Sequence, residues 1–130
     1  MGVLIASPSS AFAKVNVFAC EPEWAALSEE IGGDLVNVTA ATNARQDVHH
    51  LRAKPSLLAA LRKADLVFCT GASLEIGWLP ILLKKAGGPD VQLETAGSIM
   101  ASDYVEKLEI MQKADRSMGH VHPEGNPHIQ

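Results

Sequence analysis

The side chains in this chain best suited to chemistry are its histidines. There are five: His49, His50, His120, His122 and His128. Two are adjacent near the middle of the chain. The other three fall within the last eleven residues, in Gly-His-Val-His-Pro-Glu-Gly-Asn-Pro-His-Ile-Gln. Neutral imidazole is a ligand for zinc, copper, nickel and iron. A zinc site needs three or four nitrogen, sulfur or oxygen ligands at about 2.0–2.3 Å. Histidines from two separate loops meet that need only if the fold brings the loops together. The spacing has neither the HExxH nor the CxxC regularity of a strong metal motif. Adjacent loop residues point in different directions, so His49 and His50 are not expected to serve as equivalent ligands.

The elements that must position these loops alternate between strand and helix. Lys14 to Cys20 is a short apolar run, read as a first strand. Glu21 to Ile31 carries Trp24, Leu27 and Ile31 at helical spacing, with Pro22 in the first turn and Gly32-Gly33 at the end. Leu35 to Thr39 alternates and is β-branched, a second strand. Residues 40 to 54 show no apolar period and read as a loop. Pro55 to Lys63 is a helix with Leu57, Leu58 and Leu61 on one face. Asp65 to Thr70 is a third, apolar strand ended by Gly71. Leu74 to Lys85 is expected to be a helix with Leu74, Trp78, Ile81 and Leu82 inward and a kink at Pro80. Val91 to Leu93 is a candidate fourth strand, Tyr104 to Met111 a candidate helix, and Gly119 to Gln130 a polar loop. This order predicts an α/β fold, a parallel four-stranded sheet of order 2-1-3-4 flanked by helices on both faces. Ligands of such sheets sit beyond the carboxyl ends of the strands, where the loop carrying His49 and His50 leaves the second strand.

Composition narrows the function. The 130 residues suffice for one domain with its own core. With 47% hydrophobic and 20% charged residues the chain is globular in character. A net charge of −4 without a basic block disfavours nucleic acid, whose phosphates need clustered Lys and Arg. No apolar run reaches the roughly 18 residues of a membrane-spanning helix. Residues 1–13 are uncharged and end in Ala11-Phe12-Ala13, a small-x-small cleavage pattern. They read as a signal-peptide remnant, so the mature chain is expected to start near Lys14 and to work outside the cytoplasm.

Four ordered segments carry a resemblance. Asp47-Val48-His49-His50-Leu51-Arg52-Ala53-Lys54-Pro55-Ser56, Leu61-Arg62-Lys63-Ala64-Asp65-Leu66-Val67, Thr70-Gly71-Ala72-Ser73-Leu74-Glu75-Ile76-Gly77-Trp78-Leu79 and Asn126-Pro127-His128-Ile129 resemble motifs of the zinc/manganese group of metal-binding solute-binding proteins of ABC transporters. The resemblance implies a two-lobed protein that holds its ion between the lobes. It implies His49 as the first ligand and His128 as the second, with residues 14–130 the N-terminal lobe and the second lobe absent. His120 and His122 resemble the histidine-bearing mobile loop of zinc-type members, an accessory capture element. They favour Zn²⁺ over Mn²⁺, which prefers more oxygen ligands. Val48 stands where the family usually has proline, which loosens the loop, and His50 beside His49 leaves the choice of ligand open. The implied partners are the metal ion and an ABC transporter permease in the membrane. A homodimer through the exposed lobe face is a further expectation, and the implied location is periplasmic or extracellular.

Other residues read as structural. Glu75 is expected near a helix start, where a carboxylate complements the dipole. Trp24 and Trp78 are expected as core anchors. Cys20 and Cys69 end neighbouring strands; they read as two buried thiols in the core, with a disulfide as the alternative. An enzyme reading, a small flavodoxin-like domain or a zinc hydrolase, lacks support. The turn Cys20-Glu21-Pro22-Glu23 has no glycine-rich phosphate cradle, and there is no Gly-x-Ser-x-Gly elbow.

Overall fold

A computed structural model of the chain describes residues 12–108. Val15–Ala19 forms β1, Val36–Ala40 β2, Leu66–Cys69 β3 and Ser98–Met100 β4. All pair in parallel, in the order β2-β1-β3-β4, which is the expected topology. The helices are α1 (Pro22–Gly32), α2 (Pro55–Arg62) and α3 (Leu79–Ala86). Each has a proline in its first turn, where the missing N–H would have no partner in any case.

The two faces of the sheet are covered unequally. On one face Phe18, Val67 and Cys69 pack with Leu57 and Leu61 of α2 and with Leu79, Leu82 and Leu83 of α3. Side chains of this kind each gain about 1.5–3 kcal/mol from burial. Among the described residues, the other face carries α1 alone, lying against β1 and β2. There Trp24 stacks on Phe68 with ring centroids 4.9 Å apart. The outer side of α1 is open: Leu27 and Ile31, at helical spacing with Trp24, are both exposed, Ile31 by 77%.

Four expectations need correction. The helix expected over 74–85 begins only at Leu79, and Pro80 starts it rather than kinking it. Residues 72 to 78 form turns instead: Ala72 and Ser73 take positive φ (48° and 66°), and Trp78, at φ −142° and ψ −38°, lies outside helical space and caps α3. Ile81 is consequently exposed. The fourth strand lies at Ser98–Met100 and not at Val91–Leu93: Pro89–Val91 is a 3-10 turn, and Gln92 uses its side-chain amide to bind the carbonyls of Leu83, Gly87 and Gly88. No helix starts at Tyr104. Ala101–Tyr104 is a 3-10 turn, residues 105–108 are not helical, and residues 109–111 lie outside the described residues. Cys20 and Cys69 are joined by a disulfide, their Cα atoms 4.8 Å apart. Parallel β1 and β3 place Ala19 opposite Phe68, so the two following cysteines are forced side by side.

Candidate metal centre

The loop after β2 is built by local hydrogen bonds. Thr42 continues the strand by donating from its N–H and hydroxyl to the Cys20 carbonyl. Asn43 and Gln46 then close a turn on each other, the Asn43 N–H donating to Gln46 Oε1 and the Gln46 N–H to the Asn43 carbonyl. Asp47 organises the next turn. Its Oδ1 accepts the His49 N–H at 2.9 Å, and its carbonyl accepts the His50 N–H at 3.1 Å. That is the usual way an aspartate replaces a backbone turn.

The same carboxylate grips both imidazoles. His49 Nδ1 lies 2.9 Å from Asp47 Oδ1, and His50 Nδ1 lies 2.8 Å from Asp47 Oδ2. An ionised carboxylate only accepts, so each ring donates from Nδ1. The hydrogen bonds from His50 and then His49 hold the Asp47 carboxyl well below the ordinary carboxylate range. In each neutral ring the lone pair is then on Nε2, the arrangement of a carboxylate–histidine–metal triad. Rings held at Nδ1 by opposite oxygens of one carboxylate turn Nε2 away from it. Their centroids are 6.4 Å apart and the rings are tilted by 45° to one another. They also differ in exposure: the His49 side chain is 27% exposed and that of His50 74%.

A second contact ties the loop to the body. The Trp78 indole N–H donates to the Val48 carbonyl at 2.6 Å. Gly77 passes so close that a Cβ there would lie 3.0 Å from the His49 carbonyl. Trp78 is therefore more than the expected core anchor; it fixes the histidine loop to the start of α3. Trp24 likewise has a polar role, donating from its indole to Thr70 Oγ1. Sequence reading did not assign these positioning roles to Asp47 and Trp78. The Asp-x-His-His spacing carries a legible signal for the first, whereas nothing local marks the second.

His120, His122 and His128 lie outside the described residues. Among the described residues, the one group of three metal-type side chains is Cys20, Cys69 and Glu75, with ligand atoms within 4.8 Å of one another. The disulfide consumes both sulfurs. An open cleft of about 280 Å³ lies beside the ends of β3 and β4, lined by Gly71, Ser73, Glu75, Leu79, Met100 and Asp103 among others. The histidine loop takes no part in it.

Glu75 is not at a helix start. It is buried, and its carboxylate accepts the N–H groups of Thr70 and Gly71 at 2.8–3.2 Å, finishing β3. Its role is structural, as expected, but through the strand end and not through a helix dipole.

The model of the family described as ZnuA, zinc-uptake complex component A, periplasmic, matches residues 17–130. The chain belongs to this family. A manganese ABC transporter substrate-binding lipoprotein (scaA) of Streptococcus gordonii is 32% identical over 83 residues, 62% of this chain and 27% of that protein. A zinc-bound deletion mutant of ZnuA is 27% identical with a TM-score of 0.63, covering 75% of this chain and 35% of that one. A manganese-bound periplasmic metal-binding protein from Candidatus Liberibacter asiaticus has the same TM-score at 23% identity, covering 88% and 37%, and supports the fold. The chain thus spans little more than a quarter of the curated relative's length and about a third of the solved structures. These relatives are substrate-binding and metal-binding proteins, not enzymes, and the hydrolase and flavodoxin-like readings fall away.

Proposed function

We propose that this ZnuA-family chain is the N-terminal lobe of the solute-binding component of an ABC metal importer, working outside the cytoplasm with zinc as its cargo. The observation that carries the reading is the Asp47–His49 pair. A half-buried imidazole, held at Nδ1 by a carboxylate at the carboxyl edge of a parallel sheet, presents Nε2 as a metal ligand. His49 is the first ligand and His128 the second. His120 and His122 capture the ion, and exposed His50 stands outside the inner shell. An all-nitrogen contribution from this lobe favours zinc over manganese. Binding is stoichiometric, without turnover, and weakens on acidification because protons compete for the imidazole nitrogens. The lobe passes the ion to a membrane permease. The uncovered apolar side of α1, with Leu27 and Ile31 exposed, supports the additional reading of a homodimer, which elution volume at high concentration with and without zinc tests.

Zinc titration by calorimetry above pH 7 tests the main reading, with wild type beside His49→Ala and His128→Ala and with manganese as a competitor. Stoichiometric zinc binding lost in both variants and little displaced by manganese is expected. Binding that is indifferent to both substitutions overturns the ligand assignment, and displacement by equimolar manganese overturns the zinc preference.

A further inference from the structure

Behind the cleft, two carboxyl groups from different elements are buried together. Glu21, between β1 and α1, is 4% exposed, and Glu75 is 3% exposed. Among the described residues neither forms an ion pair with Lys, Arg or His. The groups facing Glu21 are Glu75 from the turn after β3 and Thr70 from the end of β3. Trp24 from α1 reaches the same cluster through Thr70. The Cys20–Cys69 disulfide lies alongside and carries no charge.

The hydrogen bonds divide the two carboxyls into different roles. Glu75 accepts three contacts from two backbone N–H groups, the pattern of an ionised carboxylate. Glu21 Oε2 accepts from the Thr70 N–H at 3.3 Å and its hydroxyl at 3.1 Å. Glu21 Oε1 is buried and has no hydrogen-bond partner. Two buried anions with no cation are untenable, and an oxygen with no donor facing it is where a proton belongs.

We propose that Glu21 is a neutral carboxylic acid in the folded protein, with its proton on Oε1, and that its acid–carboxylate pair with Glu75 bolts the end of β3 to the histidine loop. Burial is the chief cause that raises both carboxyls, and the repulsion of Glu75 adds to it at Glu21, which is pushed up to about 9. The backbone hydrogen bonds pull Glu75 back down, so Glu21 keeps the proton. The path onward is short. The Glu75 side chain holds Thr70 and Gly71, and its own carbonyl accepts the N–H groups of Trp78 and Leu79 at 3.1 and 2.9 Å. The Trp78 indole holds Val48, one residue from His49. Glu21 and Glu75 are thus positioning residues for the proposed ligand loop. The functional consequence rests on the metal-binding reading, but the protonation and the coupling do not.

Infrared difference spectroscopy of wild type against Glu21→Gln, which keeps a donor in place, tests the proton. A carboxylic-acid carbonyl band at about pH 7 that Glu21→Gln lacks is expected; a wild type without the band, or a variant that retains it, overturns the proposal. Indole exchange of Trp78, read by NMR in the same two proteins, tests the bolt. On raising the pH from about 7 to about 10, wild type is expected to lose about tenfold more protection than Glu21→Gln, as opening of a local unit predicts. Equal loss in both proteins overturns the coupling. Neither readout uses metal, so a chain that fails to bind zinc leaves both results standing.

Discussion

Two carboxylate clusters sit at the same edge of one sheet and live under opposite rules. Asp47 is exposed, holds two imidazoles, and is drawn down toward its ionised form. Glu21 and Glu75 are buried, face no cation among the described residues, and are pushed up from the ordinary carboxylate range. Solvent makes the difference. At Asp47 water screens the charge and the hydrogen bonds only orient it. At Glu21 desolvation decides the protonation state. The exposed cluster is therefore expected to govern ligand geometry, and the buried one the stability of the framework beneath it.

The largest expected effect is at the buried side. The Cys20–Cys69 disulfide closes a loop of 49 residues, and loop-closure entropy gives it about 4 kcal/mol of stability. Denaturant unfolding of Cys20→Ala/Cys69→Ala against wild type measures this, and a change below about 1 kcal/mol would show that the carboxyl pair and the core hold the two strand ends without it. Next is Glu75→Ala, which strips the acceptor from Thr70 and Gly71 and is expected to cost about 3 kcal/mol, since each orphaned buried N–H costs about 1–3 kcal/mol.

A pH series separates the two clusters by sign. Glu21 has a folded value of about 9 against an ordinary 4.5. Between those limits the folded state holds a proton that the unfolded chain lacks. Stability is thus full below about 4.5 and falls as pH rises toward 9, at on the order of 1 kcal/mol per pH unit at the steepest. Glu21→Gln flattens that slope. Asp47 acts the other way: its contribution is present above its ordinary 3.8 and is lost as pH falls below it. Chemical denaturation from pH 2 to 10 reads both, and a wild-type slope identical to that of Glu21→Gln above pH 4.5 would erase the contrast.

The smallest expected effect is at the exposed side. Asp47→Asn leaves the fold intact but frees the imidazoles to turn, and it is expected to weaken zinc binding about tenfold. Calorimetry beside a thermal melt checks it. A large loss of stability with unchanged affinity would exchange the roles assigned to the two clusters.

The sequence carried much of this in local form. Alternation of apolar strands with helices set the sheet order, because right-handed crossovers leave few alternatives. The missing apolar period over residues 40–54 placed His49 and His50 in the loop after β2. The failures share a cause. Leu74, Trp78 and Leu82 fit a helical period, but residues 72–78 run as turns and Trp78 lies outside helical space at φ −142°, so the helix starts at Leu79. Val91 is apolar and buried, yet as part of a turn and not of a strand. Burial alone does not distinguish a strand from a turn when the run is three residues long.

By itself, then, the sequence determined the fold class, the family and the loop that bears His49 and His50. Periodicity, caps and motif spacing are properties of neighbours along the chain. Only the tertiary structure decided that Cys20 and Cys69 bond, that Glu21 and Glu75 share a dry site, and that Trp78 holds the carbonyl before His49. These pairs are 30 to 54 residues apart in sequence. What joins them is the parallel register of β1 and β3 and the exclusion of water around it, and neither is written in any local stretch of the chain.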